Sequence, residues 1–586
     1  MTEARHYDVV ILGAGMAGLC LARQLILQSE KTVLMLDRRG EIPPKRQKVG
    51  ESSVQVSGYY LGKVLDLEEY LVHEQLLKYN LRFHYKKADD ANENFEDYSV
   101  SYIRTYSNIP TYQLDRNTLE AALMKMNLEC ERFRFVGPAT ELETRLATTD
   151  EDTHEVAFRN GEAAESVTAR WVVDTTGRAR FIARNSGLKR ENAIDHGSSF
   201  LWVDGLVNIE RLTEMAHRDR RLRRERQSIG SSPFWLATNH FVGEGFWFWV
   251  IPIRHKTSLG LVYDRSRVNE NDVNTPEKLM KWICREFPLF ERDLPKRKVL
   301  DWGYLRDYSH DCAQTISTKR WAMSGESGRF SDPLYSPGGD LIALYNTMIG
   351  DAILTDDPVQ LRLKCRFYEG MMRAFYEAYV PSFSDGYDML GDQECFVMKY
   401  TWELTVYFSF YVLPFINDMF TRLKFLSRFL PLFGRLGPVN KALQPFINDY
   451  HHWKKAHREP SAETTFFDFY EIPCLKMAET LFYRVGLSEA ETAELLERQL
   501  AVVMEYSRFI VIHITAQVLD DESVYRNRAF AESIDFANLK FHPRQMRTRY
   551  ADCAKDGDPM QWSVCPSVFQ RFHTAARPET MLAAGD

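Results

Sequence analysis

The chain has 586 residues, several times the roughly 100–200 residues of a typical domain, so we expect more than one domain and a large core. Lys and Arg number 74 against 81 Asp and Glu, a net charge of −7, which provides no global attraction for nucleic acid or anionic membranes. The nine cysteines form no CxxC pair and no metal-type spacing, which favours reduced thiols in a cytoplasmic protein without structural metal.

No segment resembles a signal peptide or a membrane span. The amino terminus enters a hydrophobic strand directly, without a charged region and a long apolar run before it. The most apolar later stretch, residues 404–420, is interrupted by Pro414, Asn417 and Asp418 and is shorter than the roughly 20 residues that cross a bilayer. We interpret it as a buried helix.

Residues 7–37 have the pattern strand, glycine turn, helix, strand, which predicts a βαβ unit. Gly13, Gly15 and Gly18 form the GxGxxG fingerprint of a dinucleotide site, with Asp37 at the end of the second strand. The first glycine permits the tight turn, the second admits a pyrophosphate to the helix amino terminus, and the third allows close helix–strand packing. Asp37 can accept hydrogen bonds from ribose hydroxyls. The alternative is a glycine turn in an unrelated α/β unit.

Two further regions have distinct patterns. Short runs of β-branched and aromatic residues between turn signals, in residues 76–115 and 195–300, predict an inserted sheet. After Asp340 the pattern is helical, with two predicted helices at 488–504 and 508–518. We therefore divide the chain into a module of residues 1–360 and a helical carboxy-terminal domain of residues 361–586.

Three stations downstream of the fingerprint, at residues 48–52, 113–116 and 173–177, resemble in their order the FAD-binding stations of the class A flavin monooxygenase superfamily. This resemblance implies an α/β fold: an FAD-binding Rossmann-like domain of the glutathione-reductase/hydroxylase type, an inserted β-sheet substrate domain and an α-helical extension. A late Gly-Asp station is also typical of the superfamily, and here Glu326 replaces the aspartate. The resemblance assigns FAD contacts to Gly13, Gly15, Ala17, Gly18, Asp37, Arg46, Gly50, Glu51, Ser52, Arg116, Asp174, Gly325, Glu326, Pro333, Gly338 and Gly339.

Residues 247–252 read Trp-Phe-Trp-Val-Ile-Pro, which matches the WxWxIP motif of the flavin-dependent halogenases. On a strand, Trp247 and Trp249 share one face, and Pro252 is expected to end the ladder. By composition alone such a strand is ordinary core. The resemblance to these halogenases covers about residues 5–355 and implies that the two indoles separate flavin from substrate.

Residues 330–338 fit the FxxPxxSxG pattern of the same family. Gly338 and Gly339 lead toward a helix predicted to begin near Asp340, and backbone amides at such a start are a natural anion site. The resemblance places chloride or bromide at Ser336, Pro337 and Gly338. From the local sequence alone, a plain Pro/Gly loop before a helix is the alternative.

Lys78 lies in a segment that alternates apolar and polar residues from Leu77 to His84. Without the resemblance, its polar face is a solvated sheet surface. The resemblance makes Lys78 the catalytic lysine, which hydrogen-bonds hypohalous acid or carries the halogen as a haloamine. Reduced FAD and oxygen would oxidise halide near Ser336, and Lys78 would deliver the electrophilic halogen to an aromatic ring.

Tyr335 stands where tryptophan halogenases have a glutamate, which favours a phenol-like or pyrrole-like substrate, free or bound to a carrier protein. The basic run 218–226 could dock an acidic carrier, although a solvated helix is the commoner case. His240 could lie near the ring, or be structural. With no second nucleotide fingerprint, reduced FAD is expected from a separate reductase, and the protein to be a monomer or homodimer.

Two other functions stay open at this point. A flavin monooxygenase or other flavin oxidoreductase could keep the fold and place a hydroxyl or remove hydride. A degenerate flavoprotein could bind a partner through the helical extension without turnover; only the Glu326 substitution favours it.

Overall fold

The computed structural model describes residues 5–88, 91–149, 152–226, 233–461, 463–553 and 558–577. Its strands are β1 (Arg5–Leu12), β2 (Val33–Leu36), β3 (Leu76–Leu77), β4 (Leu81–Lys86), β5 (Tyr98–Tyr102), β6 (Tyr112–Gln113), β7 (Phe133–Val136), β8 (Ala139–Arg145), β9 (His154–Asn160), β10 (Ala163–Asp174), β11 (Lys189–Arg190), β12 (His196–Asp204), β13 (Thr238–Gly243), β14 (Phe246–Ile253), β15 (Lys256–Asp264), β16 (Val299–Leu305), β17 (Asp311–Cys312), β18 (Ile316–Ser317), β19 (Trp321–Met323) and β20 (Phe466–Phe467).

Its α-helices are α1 (Met16–Gln28), α2 (Gln55–Tyr59), α3 (Glu68–Glu74), α4 (Arg116–Leu128), α5 (Phe181–Asn185), α6 (His217–Arg226), α7 (Pro276–Glu286), α8 (Pro337–Ile353), α9 (Pro358–Ser384), α10 (Gln393–Tyr407), α11 (Leu413–Ile416), α12 (Leu423–Gly434), α13 (Leu436–His457), α14 (Pro473–Phe482), α15 (Glu489–Leu519), α16 (Arg528–Glu532) and α17 (Pro543–Asp552).

The first sheet has the strand order β18-β19-β10-β1-β2-β7, and the βαβ unit predicted from residues 7–37 is at its centre. β1 pairs in parallel with both β10 and β2, and β10 pairs in parallel with β19. Parallel strands present their carboxyl ends at one edge, where ligands of open α/β sheets bind. The glycine turn after Leu12 and the turns after Leu36, Asp174 and Met323 therefore meet at that edge.

The second sheet has the order β16-β12-β15-β14-β13-β4-β5-β20 and combines the two predicted inserted segments. Phe248 and Val250 on one face join a core cluster with residues of α7, such as Trp282. Trp247 and Trp249 lie on the other face, as the period of two predicts, and belong to the main core cluster. The expectation that Pro252 ends the ladder is wrong, because β14 continues to Ile253 and Pro252 still pairs with Thr257.

The helical region that follows residue 360 packs onto this second sheet. Its short strand β20 pairs in parallel with β5. Every residue of α10 from Glu394 to Tyr407 is buried, and the buried helical character continues through residues 408–416, as predicted for residues 404–420. The prediction of two separate helices at 488–504 and 508–518 is wrong, because α15 is one continuous helix. The division at residue 360 stays a prediction.

Within the described ranges, α15 is long and apolar enough to cross a membrane on length and composition alone, and 61% of its apolar window is buried inside the protein.

The basic run 218–226 belongs to α6, and Arg218, Asp219 and Arg221 are exposed. The side chains of residues 223–226 lie outside the described part of the chain.

Candidate functional site

The glycine turn after β1 has the backbone geometry that its three glycines predict. Gly13 has φ +106°, a left-handed conformation that favours glycine, and a Cβ there would lie 2.6 Å from the Thr175 carbonyl oxygen. A Cβ on Gly18 would lie 2.3 Å from the Gly13 oxygen. A Cβ on Gly15 would meet nothing within 4 Å. The turn therefore requires Gly13 and Gly18 for its own packing, whereas the space beside Gly15 is open.

Asp37 follows the carboxyl end of β2 and contacts the glycine turn. Its carboxylate accepts a 2.7 Å hydrogen bond from the Ala14 amide and is paired with the Arg39 guanidinium at 2.8 Å. Burial raises the pKa of Asp37, but the hydrogen bonds from Arg39 and Ala14 outweigh it and hold the pKa below its usual value. Sequence reasoning missed Arg39.

Two large cavities lie among the residues that the structure describes. The first, which we call the tryptophan cavity, has a volume of about 1140 Å³ and is lined by Gly50, Glu51, Ser52, Arg116, His240, Trp247, Trp249, Gly325, Glu326, Pro333, Ser336, Gly338 and Gly339, among others. The second, the lysine cavity, has a volume of about 910 Å³ and is lined by Lys78, Leu334, Tyr335, Pro337, Asp340, Tyr400, Glu403 and Tyr407, among others. Both volumes include space that is open to solvent.

Residues 333–341 form a wall between the two cavities. Pro333, Ser336, Gly338 and Gly339 line the tryptophan cavity, and Leu334, Tyr335, Pro337 and Asp340 line the lysine cavity. Tyr335 and Ser336 have φ of 70° and 65°, two consecutive left-handed residues that are not glycine. Such conformations cost roughly 1–3 kcal/mol each and cluster at functional sites. They turn the chain so that α8 begins at Pro337, three residues before the predicted start near Asp340.

Lys78 is buried in the wall of the lysine cavity, so the interpretation of its polar face as a solvated surface is wrong. The continuous alternation is interrupted at Asn80, which has φ 68°, and Arg82 and His84 beyond it are also buried. The Lys78 ammonium donates to Ser52 Oγ at 2.9 Å and to the Ser53 carbonyl at 2.6 Å. Ser52 lines the tryptophan cavity. One hydrogen bond thus connects the two cavities.

Burial lowers the pKa of Lys78 to about 7, against the opposing attraction of the Asp340 carboxylate. Burial also raises the pKa of Asp340 to about 6, although Tyr407 and Ser57 donate to this carboxylate at 2.6 and 2.7 Å. A lysine that titrates near neutral pH is typical of a catalytic group.

The two tryptophans are fixed by their indole N–H groups. Trp247 donates to the Tyr387 hydroxyl at 2.6 Å and Trp249 to Ser258 Oγ at 3.0 Å. Their rings are 5.7 Å apart. His240 stacks on Phe83 on the same side of the sheet, and burial lowers its pKa to about 3. His240 is therefore neutral.

No family model matches the chain. The flavin-dependent halogenase chlA of Dictyostelium discoideum is 23% identical over 449 residues, 71% of this chain and 73% of that protein. The tetracycline 7-halogenase of Kitasatospora aureofaciens is 23% identical over 361 residues, 57% of this chain and 61% of that protein. A 1H-pyrrole-2-carbonyl peptidyl-carrier-protein chlorinase of Pseudomonas fluorescens is 21% identical over 401 residues, 63% of this chain and 80% of that protein.

The resemblance to flavin-dependent halogenases is therefore confirmed. The crystal structure of the halogenase PltM with phloroglucinol and FAD has a TM-score of 0.57 and 17% identity, covering 86% of this chain and 98% of that one. That of CmlS, a flavin-dependent halogenase, has a TM-score of 0.52 and 16% identity, covering 86% and 78%. The predicted α/β halogenase fold with a helical carboxy-terminal region is confirmed as well.

The structure brings most of the predicted halogenase residues into the tryptophan cavity. The exceptions are of four kinds. The residues of the glycine turn and the end of β2 line neither cavity: Gly13, Gly15, Ala17, Gly18 and Asp37. Lys78 and Pro337 line the other cavity. Asp174 is fully buried, and its carboxylate accepts from the Thr176 and Ile182 amides within its own turn. The Arg46 side chain is 77% exposed, and its nearest acidic partner is Asp301 at 3.9 Å.

Glu326, which replaces the aspartate of the superfamily pattern, lines the tryptophan cavity. Its carboxylate makes no hydrogen bond with any described residue, while its backbone carbonyl accepts from His310. Burial raises its pKa, with Arg178 and Arg116 acting in the opposite direction. The tryptophan cavity therefore contains a carboxyl group without a protein partner among the described residues.

Sequence reasoning missed the contribution of the helical region to the lysine cavity. Tyr400, Glu403 and Tyr407 all come from α10. A signal was present, because Lys399 and Glu403 are charged residues inside an otherwise apolar run. Charged residues in buried helices are rarely accidental, since burying a charge is costly unless it is paired.

Replacing Gly260 by alanine is expected to destabilise the protein by about 1–3 kcal/mol, the usual cost of overpacking a core. A Cβ at Gly260 would lie 2.1 Å from the Trp249 ring, which packs flat against this backbone. Chemical denaturation measures the change. Gly437→Ala is the control, because a Cβ there meets nothing within 4 Å. Equal stability of the two variants would contradict the close packing of Trp249.

Proposed function

We propose that this chain is an FAD-dependent halogenase that installs chlorine or bromine on an electron-rich, phenol-like or pyrrole-like ring. In this proposal FAD and halide bind in the tryptophan cavity and the ring binds in the lysine cavity. The observation that carries the proposal is the wall of residues 333–341, crossed by the hydrogen bond between Lys78 and Ser52. Lys78 would therefore stand between an oxidant made in the tryptophan cavity and a ring in the lysine cavity.

The residues around the tryptophan cavity fit FAD. The open space beside Gly15 admits a pyrophosphate to the amino terminus of α1, and Gly50 has φ +92° where a Cβ would meet Arg116. Arg39 and Asp37 stand at the end of β2, where the adenosine would lie. Glu326 would accept from a ribityl hydroxyl. Trp247 and Trp249 would pack beside the flavin ring.

Halide would bind at the amino terminus of α8. This helix has 17 residues, and Gly338 and Gly339 in its first turn line the tryptophan cavity. Helix amino termini bind anions because their first amides have no partner in the helix and the helix dipole is positive there. Ser336, with its left-handed backbone, would bring a hydroxyl to the same place.

Reduced FAD, when bound, would supply two of the four electrons that reduce oxygen, and halide would supply the other two as it is oxidised to hypohalous acid. Lys78, as an ammonium group, would donate a hydrogen bond to the oxygen of hypohalous acid and so make the halogen more electrophilic. The ring carbon attacks the halogen; the carbon–halogen bond forms as the oxygen–halogen bond breaks, and the oxygen takes a proton and leaves as water. The ring then loses its own proton and regains aromaticity.

Three observations support an activated aromatic substrate. Tyr335, not a glutamate, lines the lysine cavity together with Lys78. The relatives include a tetracycline halogenase and a pyrrole chlorinase whose substrate is linked to a carrier protein, and a PltM structure contains phloroglucinol. We further propose a cytoplasmic monomer or homodimer, supplied with reduced FAD by a separate reductase and acting on a free or carrier-bound ring.

Mass spectrometry tests the proposal. Phenolic and pyrrolic compounds are incubated with the protein, a flavin reductase, FAD, NADH and a mixture of chloride and bromide. The expected product has gained chlorine or bromine and requires halide. A hydroxylated product that forms equally without halide would instead identify a monooxygenase.

The pH dependence of kcat/KM distinguishes two roles for Lys78. Because its pKa is lowered to about 7, Lys78 is protonated below pH 7 and neutral above it. A hydrogen-bond donor must be protonated, so we expect kcat/KM to fall as the pH rises through about 7. Asp340 titrates near 6 beside it, so the measured values belong to the pair. A kcat/KM that rises above pH 7 would favour a haloamine.

A further inference from the structure

Glu403 presents a buried carboxylate oxygen to the lysine cavity. Glu403 is 7% exposed and lies on α10, which is buried along almost its whole length. Its Oε1 atom accepts from the Lys399 ammonium at 2.7 Å and from the Gln444 amide at 3.1 Å. Its Oε2 atom has no hydrogen-bond partner among the described residues.

The arrangement around Oε1 fixes the side chain in place. Lys399 is fully buried and also donates to the Ser382 carbonyl at 2.9 Å and to Gln444 Oε1 at 2.9 Å. The ion pair with Lys399 offsets the cost of burying these two charged groups. One oxygen is thus held by the protein and the other is free to accept.

Tyr335 is the second polar group without a partner at this cavity. Its hydroxyl is buried and makes no hydrogen bond with the part of the chain that the structure describes. Burial, followed by the nearby charge of Glu403, raises the pKa of Tyr335 well above its ordinary value. The hydroxyl and the Glu403 carboxylate are therefore close to each other, but they do not form a hydrogen bond of good geometry. Buried polar atoms without partners are costly and call for an explanation, such as a ligand that completes them.

We propose that Glu403 Oε2 and the Tyr335 hydroxyl bind a hydroxyl group of the aromatic substrate, so that the enzyme selects neutral phenols. The phenol donates its proton to a hydrogen bond with Glu403, and Tyr335 donates to the phenol oxygen. A pyrrole N–H could satisfy only Glu403. A phenolate would be repelled by the carboxylate, which excludes an already ionised substrate. The halogenation chemistry in this inference rests on the proposed function. The binding of a phenol hydroxyl by Glu403 and Tyr335 does not.

The hydrogen bond also activates the ring. As the ring carbon attacks the halogen, positive charge develops on the phenol oxygen, and its O–H bond weakens toward Glu403 Oε2. The proton can pass to this oxygen as the carbonyl-like intermediate forms, and it returns to the phenol oxygen when the ring carbon loses its own proton. Binding and activation thus come from the same contact, and Lys78 acts on the halogen from elsewhere in the cavity wall.

Binding of two matched compounds tests the proposal. Phloroglucinol donates hydrogen bonds, whereas its trimethyl ether has an equally electron-rich ring without hydroxyl hydrogens. Isothermal calorimetry on the FAD-loaded protein measures both. We expect Glu403→Gln to weaken phloroglucinol binding by about 10- to 100-fold, the range for a hydrogen bond to a charged group, and to leave the ether unaffected. Glu497→Gln, on the exposed side of α15, is the matched control and should change neither.

Tyr335→Phe provides a second test if Glu403→Gln folds poorly. The Tyr335 hydroxyl that it removes has no hydrogen-bond partner among the described residues. We expect it to unfold at the same temperature as the wild type or higher, and to bind phloroglucinol about 10-fold more weakly. Unchanged phloroglucinol binding in both variants, or equal losses for the ether, would overturn the proposal. Glu403-dependent phloroglucinol binding without any halogenated product would instead retain this inference and refute the proposed function.

Discussion

Replacing Lys78 by methionine is expected to lower the rate of aromatic halogenation by about 10²- to 10⁴-fold, the usual contribution of a group that transfers or holds a proton in the transition state. Methionine has a similar length but cannot donate a hydrogen bond. The buried amine has a pKa lowered to about 7, so its loss removes a group that is costly to charge inside the protein. The variant should therefore remain folded. Turnover of the phenolic substrate, followed by chromatography, measures the effect.

Halide oxidation should continue in Lys78→Met, because Lys78 lies on the far side of the wall from the proposed halide site. We expect a small scavenger in solution to be halogenated by the variant at the wild-type rate. Lys86→Met is the matched control: it lies at the end of β4, in the same segment, and pairs with Glu286 at the surface. Undiminished substrate halogenation in Lys78→Met would disprove the role of Lys78, even in an active halogenase.

Replacing Gly15 by valine is expected to weaken FAD binding by more than about 10²-fold while leaving the stability of the FAD-free protein within about 1 kcal/mol. The space beside Gly15 is open, and its backbone is extended (φ −92°), which any residue adopts. A side chain there would occupy the path of the pyrophosphate to the first amides of α1. Flavin fluorescence titration measures the affinity, and chemical denaturation without FAD measures the stability.

Gly18→Val is the contrasting variant. A Cβ at Gly18 would lie 2.3 Å from the Gly13 carbonyl oxygen and 2.5 Å from Thr175 Oγ1, so this variant should lose both stability and FAD. The two glycines thus have different roles: Gly18 is needed for the fold and Gly15 for the binding of FAD. Equal FAD affinity in Gly15→Val and the wild type would mean that the pyrophosphate binds elsewhere.

The elements that could be predicted from sequence are those with local causes. The βαβ unit follows from periodicity and three glycines, and both tryptophans share a face because strands alternate. The helical region is predictable from its period as well. The boundaries were less accurate: α15 is one helix, and α8 begins at Pro337. A Pro at the first turn of a helix is well tolerated, so this start was accessible to sequence reasoning.

The burial of Lys78 could not be predicted from alternation. A polar face on a strand indicates solvent only when nothing covers it, and here the wall and α10 enclose the lysine cavity. The left-handed backbone of Tyr335 and Ser336 was equally inaccessible, since neither residue type favours that region. Glu403 lies 325 residues from Lys78 along the chain, and only the packing of the helical region brings both to one cavity.

A crystal structure of the protein with FAD and phloroglucinol tests the two-cavity account most directly. The account predicts the flavin ring in the tryptophan cavity, beside Trp247 and Trp249, and phloroglucinol in the lysine cavity, with the wall of residues 333–341 between them. The phloroglucinol hydroxyls should contact Glu403 and Tyr335. Phloroglucinol stacked directly on the flavin within the tryptophan cavity would contradict the account, because oxygen could then pass to the ring without Lys78.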